Sequence, residues 1–329
     1  MKKLKDTVFN AMESVGGFRV ARYIARDNPK ILMYHRIIDH PQVPAITPSE
    51  FERQLDYLKA HFNVQPVEQL IANRIAGKND KNAIAITFDD GHADFYDTAW
   101  PLLKKYELPA SLYVTTGFVD NQCWLWPDLL RHILWETPLA TVSDKHLPTL
   151  PLAKADLPKT WNTIASHCLT LASDARIDYI KQLAGRLQVS TEAKPTAPFN
   201  AVTWDNLRDM QNQGLIVGSH TVSHRILSSL DHKDLANELT TSKMRIEKEL
   251  GITVNGICYP NGMTKDISKT VEDASNECGY QFGLVAYPAN AQATNPMHQG
   301  RWAAPKSFKL FKRLVNGITR DGNPTGQHV

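Results

Sequence analysis

The chain has 329 residues, 42% hydrophobic and 22% charged, with a formal net charge of +3. That is enough chain for a full core in one large domain or two, and the small charge, with no long basic run interleaved with aromatics, argues against a nucleic-acid partner. No run of about 18 apolar residues is present, so no membrane span is expected. The four cysteines (Cys123, Cys168, Cys258, Cys278) form no C-x-x-C pair and read as reduced thiols.

Residues 1–29 form an N-terminal helical segment. Its start, MKKLK, is basic but lacks the apolar core and small-residue cleavage site of a secretory signal. A cytoplasmic location is therefore expected, with attachment at the inner membrane face as its peripheral variant. Leu4, Val8, Met12 and Val15 share one helical face, interrupted at Gly16-Gly17. Packing on the domain is the plain reading of that face. With Lys2, Lys3 and Lys5 beside it, a peripheral membrane contact is the sharper one.

A buried strand is expected over 30–35 (KILMYH). Thr47 as N-cap, Pro48 at the first helical position and Glu50 at the third then give a capping-box signature for a helix carrying Phe51, Leu55, Leu58 and Phe62. A short helix follows at 67–76, a strand at 83–88, a helix with Phe95, Ala99, Leu102 and Tyr106 on one side, and a strand at 110–115. From about 120 to 200 the rhythm stops. Helical patterns near 127–136 and 158–188 are joined by proline-rich connections, reading as an insertion without a fold of its own. Its Trp124, Trp126 and Trp135 suit a sugar cleft but read first as core. The rhythm resumes with a capped helix from Thr203 to Gly214, a strand at 215–220 and a helix at 232–250 closed by Gly251. A strand at 256–260, a helix at 266–278 and a strand at 280–285 follow, and 316–329 read as a tail. Alternating strands and helices imply a parallel α/β sheet, either a barrel or doubly wound.

In such folds chemistry gathers where strands end at their carboxyl side. There the sequence places His35 and Arg36, the pair Asp89-Asp90, then Ser219 to His224, and Pro260-Asn261-Gly262. Adjacent carboxylates after a buried strand are costly unless something compensates them. His220 and His224, spaced i and i+4, would put two imidazoles on one side of a helical turn. Two imidazoles and one carboxylate make a facial site suited to Zn²⁺, Fe²⁺, Co²⁺ or Ni²⁺.

TFDDG at 87–91 and HTVSH at 220–224, supported by LMYHRI at 32–37 and CYPNG at 258–262, closely resemble the polysaccharide deacetylase family, the NodB-homology or carbohydrate esterase family 4 group, in its exopolysaccharide-processing branch. The resemblance covers about residues 30–315. It implies a distorted (β/α)7 barrel with the helical insertion between barrel units. It also implies a divalent metal, foremost zinc, on Asp90, His220 and His224, with Asp89 as general base. An oxyanion site is implied near Tyr259, Pro260 and Asn261. His92, after the DDG turn, reads equally as a substrate contact or as a surface or capping residue. The family's late acid histidine is matched by His298 or, from the first strand, by His35. Ile257-Cys258 stand where the third motif carries arginine, so the arginine that orients the base is not identified by the motif, and Arg301 is only a weak alternative for it.

The activity so implied is metal-dependent removal of N-acetyl groups from an N-acetylhexosamine-containing polysaccharide or its precursor. A deformylase or O-deacetylase on the same scaffold is the close alternative. A catalytically weak sugar-binding homologue is the distant one.

Overall fold

The computed structural model describes residues 16–78, 80–191, 194–289 and 294–318. The amphipathic face from Leu4 to Val15 and the tail from 319 lie outside them.

Strands β1 (Lys30–Tyr34), β2 (Asn63–Val64), β3 (Ala83–Phe88) and β4 (Ser111–Val114) supply the first half of the sheet. β1, β3 and β4 are buried along their whole length, as strands covered on both faces must be. An antiparallel hairpin of β5 (Thr141–Asp144) and β6 (Leu147–Pro151) stands apart. β7 (Ile216–Ser219), β8 (Gly256–Cys258), β9 (Phe282–Leu284) and β10 (Trp302–Ala303) complete the sheet. The order is β10-β1-β3-β4-β7-β8-β9, with β2 beside β3 and every pair parallel. A bridge between Leu284 and Gln299 ties β9 to the segment that becomes β10, so the seven-stranded path curls back on itself. This is the distorted barrel, with helices around it, that the motifs imply.

Helices form where their ends are specified. Thr47 caps the helix Pro48–His61 through Glu50 N at 3.3 Å. The reciprocal half of that box is not made: the Glu50 carboxylate accepts from Phe308 N and Arg53 instead. The box at Thr203 and Asn206 is complete, and Gly251 ends His232–Leu250 in the left-handed region at φ 66°. Inside the barrel, any Cβ at Gly218, Gly256 or Gly283 would run into Tyr113, Phe282 or Tyr259, so glycines on three strands make room for aromatic filling.

The insertion is more organised than its prolines suggest. Its helices are Trp126–Glu136, Leu157–Cys168 and Ser173–Arg186, the last two replacing the single pattern at 158–188. The β5–β6 hairpin occupies the proline-rich connection, because a two-stranded ribbon has outer edges on which Pro148 and Pro151 cost no ladder bond. Trp124, Trp126, Leu130, Trp161 and Ile180 pack with Phe199 and Val43 into a core separate from the barrel's main one. The tryptophans at 124 and 126 are thus core and not cleft.

Candidate metal and catalytic site

Asp89 and Asp90 follow β3 directly. Asp89 N still donates to Tyr34 O of β1 at 3.1 Å, whereas Asp90 turns into the left-handed region at φ 77°, followed by Gly91 at φ 93°. Short polar residues and glycine tolerate that conformation. The reversal separates the two carboxylates, which then meet different partners.

Asp89 is 2% exposed and is gripped by Arg301, with Nη1 2.7 Å from Oδ1 and Nη2 2.8 Å from Oδ2. Such bidentate pairs fix the carboxylate plane. Arg301 is itself fixed by Val285 O at 3.1 Å and Thr87 Oγ1 at 3.2 Å. Cys258 Sγ lies 2.8 Å from Arg301 Nη2 and 3.3 Å from Asp89 Oδ2. The small cysteine therefore leaves space that the guanidinium enters from the segment leading into β10. Burial pushes the Asp89 carboxyl up, but Arg301, with His220 and His35, more than offsets it and the group titrates below its ordinary value.

Asp90 Oδ1 lies 3.4 Å from His220 Nε2 and 3.6 Å from His224 Nε2. The three ligand atoms lie within 4.8 Å of one another. The His220–His224 spacing is not that of a helical turn: the segment is a loop with Thr221 at φ 67° and His224 at φ 57°. The imidazoles converge all the same, their centroids 4.8 Å apart. His220 Nδ1 is 2.7 Å from Cys258 O, which aims Nε2 at Asp90.

Burial pushes the Asp90 carboxyl up, yet His220 and His224 hold it well below its ordinary value. Burial lowers His220, but Cys258, Asp90 and Asp89 raise it well above the usual range. Burial and His220 push His224 down to about 4. Asp90 Oδ1 is buried without a hydrogen-bond partner. An orphaned carboxylate oxygen facing two imidazole nitrogens is a donor set that fits a divalent cation. Asp89, His220 and Cys258 also lie close enough to share an ion. Arg301, in contact with both Asp89 and Cys258, opposes a second positive charge there.

Of the two acid candidates, His35 faces the pair, with Nε2 3.8 Å from Asp89 Oδ2. Burial lowers its pKa, against the pull of Asp89 and Asp90. His298 has both ring nitrogens engaged, Nε2 with Tyr287 Oη and Nδ1 with Glu272 Oε1, each at 2.6 Å. Its bonds are therefore not to the carboxylate pair.

Tyr259 N donates to Leu284 O at 3.1 Å as part of the sheet, Pro260 has no N–H, and the Asn261 side-chain amide is taken by Asp266. Tyr259 N is therefore already engaged in the sheet. His92 is buried against the insertion, Nε2 2.6 Å from Asp128 Oδ2, and Nδ1 lies 3.9 Å from Asp90 Oδ2. Arg36 and Asp94, paired at 2.6 Å, pack beside Asp128.

Two residues escaped the sequence reading. Asp128 sits in the insertion, where no barrel rhythm points to it. Glu238 lies in the core-facing stripe of His232–Leu250, among Leu235, Leu239 and Ser242. A carboxylate in that stripe was the signal that could have found it.

Residues 76–283, more than half of the chain, match the family model for polysaccharide deacetylase. A poly-beta-1,6-N-acetyl-D-glucosamine N-deacetylase of Staphylococcus aureus is 33% identical over 79 residues, 24% of this chain and 27% of that protein. The Staphylococcus epidermidis protein of the same name is 36% identical over 78 residues, 23% of this chain and 27% of that protein. The matched stretch thus spans about a quarter of those relatives. Among solved structures, IcaB from Ammonifex degensii superposes with a TM-score of 0.59 at 16% identity, covering 88% of this chain and 97% of that one. The Streptococcus pyogenes deacetylase PplD, in complex with acetate, gives 0.54 at 19%, covering 83% and 90%. At these identities the likeness is one of fold.

Proposed function

The chain belongs to the polysaccharide deacetylase family, and from that premise we propose that it hydrolyses N-acetyl groups on an N-acetylhexosamine polysaccharide or its precursor. The observation that carries the reading is the division of the carboxylate pair. Asp90 faces His220 and His224, while Asp89 is held ionised and in plane by Arg301. Asp90, His220 and His224 would hold the divalent ion, zinc foremost with cobalt, nickel or iron as alternatives. Bound there, a divalent ion supplies Lewis acidity toward a carbonyl oxygen and a water.

The chain's own residues do the rest. Asp89, depressed by Arg301, accepts the proton of the attacking water as general base. The proton that Asp89 takes from the water must reach the departing amine, which cannot leave as an anion, and His35, on the same face with Nε2 3.8 Å from Asp89 Oδ2, relays it there. The names of the staphylococcal relatives support a β-linked N-acetylglucosamine polymer as the substrate class. The test is acetate release from an N-acetylglucosamine oligomer by wild type and by Asp89→Asn. We expect a fall of about 10²–10⁴-fold in kcat. Unchanged release by the variant would refute the assignment, and formate in place of acetate from a formylated oligomer would make the protein a deformylase.

We propose further that the helix Gly17–Ile24 touches an anionic membrane surface. Val20, Tyr23 and Ile24 are 60%, 66% and 76% exposed beside Arg19, Arg22 and Arg26. Apolar side chains among cations suit a lipid headgroup boundary. Among the described residues no helix is long and apolar enough to cross a membrane. Wild type should sediment with phosphatidylglycerol vesicles and Tyr23→Ser/Ile24→Ser should not; equal sedimentation of the two would remove the proposal.

A further inference from the structure

The loop between the two histidines is conformationally expensive. Thr221 and His224 both sit at positive φ, a region that costs non-glycine residues of their kind. In this conformation His224 Nε2 comes within 3.6 Å of Asp90 Oδ1, and hydrogen bonds hold the loop there. Part of the support is internal: His224 N donates to Thr221 Oγ1 at 3.1 Å, and Thr221 N to Ser219 Oγ at 3.2 Å.

The larger support comes from outside the loop. Glu238, 5% exposed on the helix His232–Leu250, accepts from Val222 N at 2.8 Å and from Ser223 N at 3.0 Å through one oxygen, and from Ser223 Oγ through the other. Both carboxylate oxygens are thus spent on the two residues immediately before His224. One turn later on the same helix, Ser242 meets Ser219 Oγ at 2.9 Å, so the helix also steadies the strand end that carries His220. A carboxylate buried on an apolar helix face is unfavourable unless it is fully hydrogen-bonded. Here its bonds go to the strained loop and not to a salt-bridging cation, among the partners seen for Glu238.

We infer that Glu238 is a positioning residue for the metal site: its carboxylate holds Val222 and Ser223 so that His224 stays aimed at Asp90. This rests on the reading of Asp90, His220 and His224 as metal ligands. Groups that orient ligands from behind typically change metal affinity by about 10–100-fold when removed.

The experiment is titration of the full-length protein with Co²⁺, against a competing chelating dye, for wild type, Glu238→Ala, Glu238→Gln and Ser223→Ala. Circular dichroism serves as the check on folding. Wild type should bind one ion. Glu238→Ala should bind it about 10–100-fold more weakly and with a shifted cobalt visible spectrum. Glu238→Gln keeps an acceptor oxygen and should recover part of the loss, and Ser223→Ala should show a smaller loss. If Glu238→Ala fails to fold, the two milder variants decide. Folded variants that bind Co²⁺ as tightly as wild type, with an unchanged spectrum, would overturn the inference. A wild type that binds no ion would instead refute the metal reading on which it rests.

Discussion

Adjacent aspartates work here because the backbone turns between them. Asp89 keeps the register of β3 and meets Arg301, whereas Asp90, at φ 77°, faces the histidines. The choice of acid follows from the same geometry. His35→Ala should lower kcat by about 10²–10⁴-fold, while His298→Ala, whose ring is tied to Tyr287 and Glu272, should stay within a few-fold of wild type. Steady-state rates on an N-acetylglucosamine oligomer check this, and the reverse order would return the role to His298. At this scale the sequence was informative near strand ends: His35, Asp89, Asp90 and His220 follow a strand, and His224 lies on the loop after β7. It was poor where partners come from afar. Arg301 lies 212 residues from Asp89, and Glu238 is 15 residues from Ser223 on another element. The availability of Tyr259 N depends on β9, which only the folded sheet supplies.

The elements themselves were legible when long and well capped. The helix from Pro48 and the strand from Ala83 fell where the pattern put them. β10, two residues long, offered no pattern at all, and the β5–β6 hairpin was hidden by its own prolines. β1 also opens on an oddity, the buried Lys30, whose ammonium has Asn28 O at 3.3 Å as a bonded partner. Burial pushes its pKa down to about 8 from 10.5. Below about pH 8 both folded and unfolded chains carry the charge, and the folded state bears its full burial cost. Between about 8 and 10.5 the unfolded chain holds the proton that the folded chain has lost, so this cost shrinks as pH rises. Lys30→Met should therefore stabilise the protein at pH 7, by at most on the order of 3 kcal/mol. The gain should fade toward pH 10. Denaturant unfolding at the two pH values measures it, and a gain that grows with pH would contradict the assignment.

Among the described residues, the barrel and the insertion, each with buried apolar packing, come together beside Asp90. The barrel supplies the carboxylates, the histidines and Arg301. The insertion, built around Trp126 and Trp161, supplies Asp128 to hold His92 beside Asp90. The alternation of strands and helices left barrel and open sheet equally open. It is the Leu284–Gln299 bridge that curls the sheet, and the motif resemblance anticipated this where periodicity could not. Asp90 after β3 and His220 and His224 after β7, strands with only β4 between them, meet at one end of the barrel. The most direct test of the account is acetate release from an N-acetylglucosamine oligomer by the same protein before chelation, after it, and after Zn²⁺ or Co²⁺ is returned. Release should be lost on chelation and restored by the metal. Release that persists undiminished in protein verified to be free of metal would contradict it.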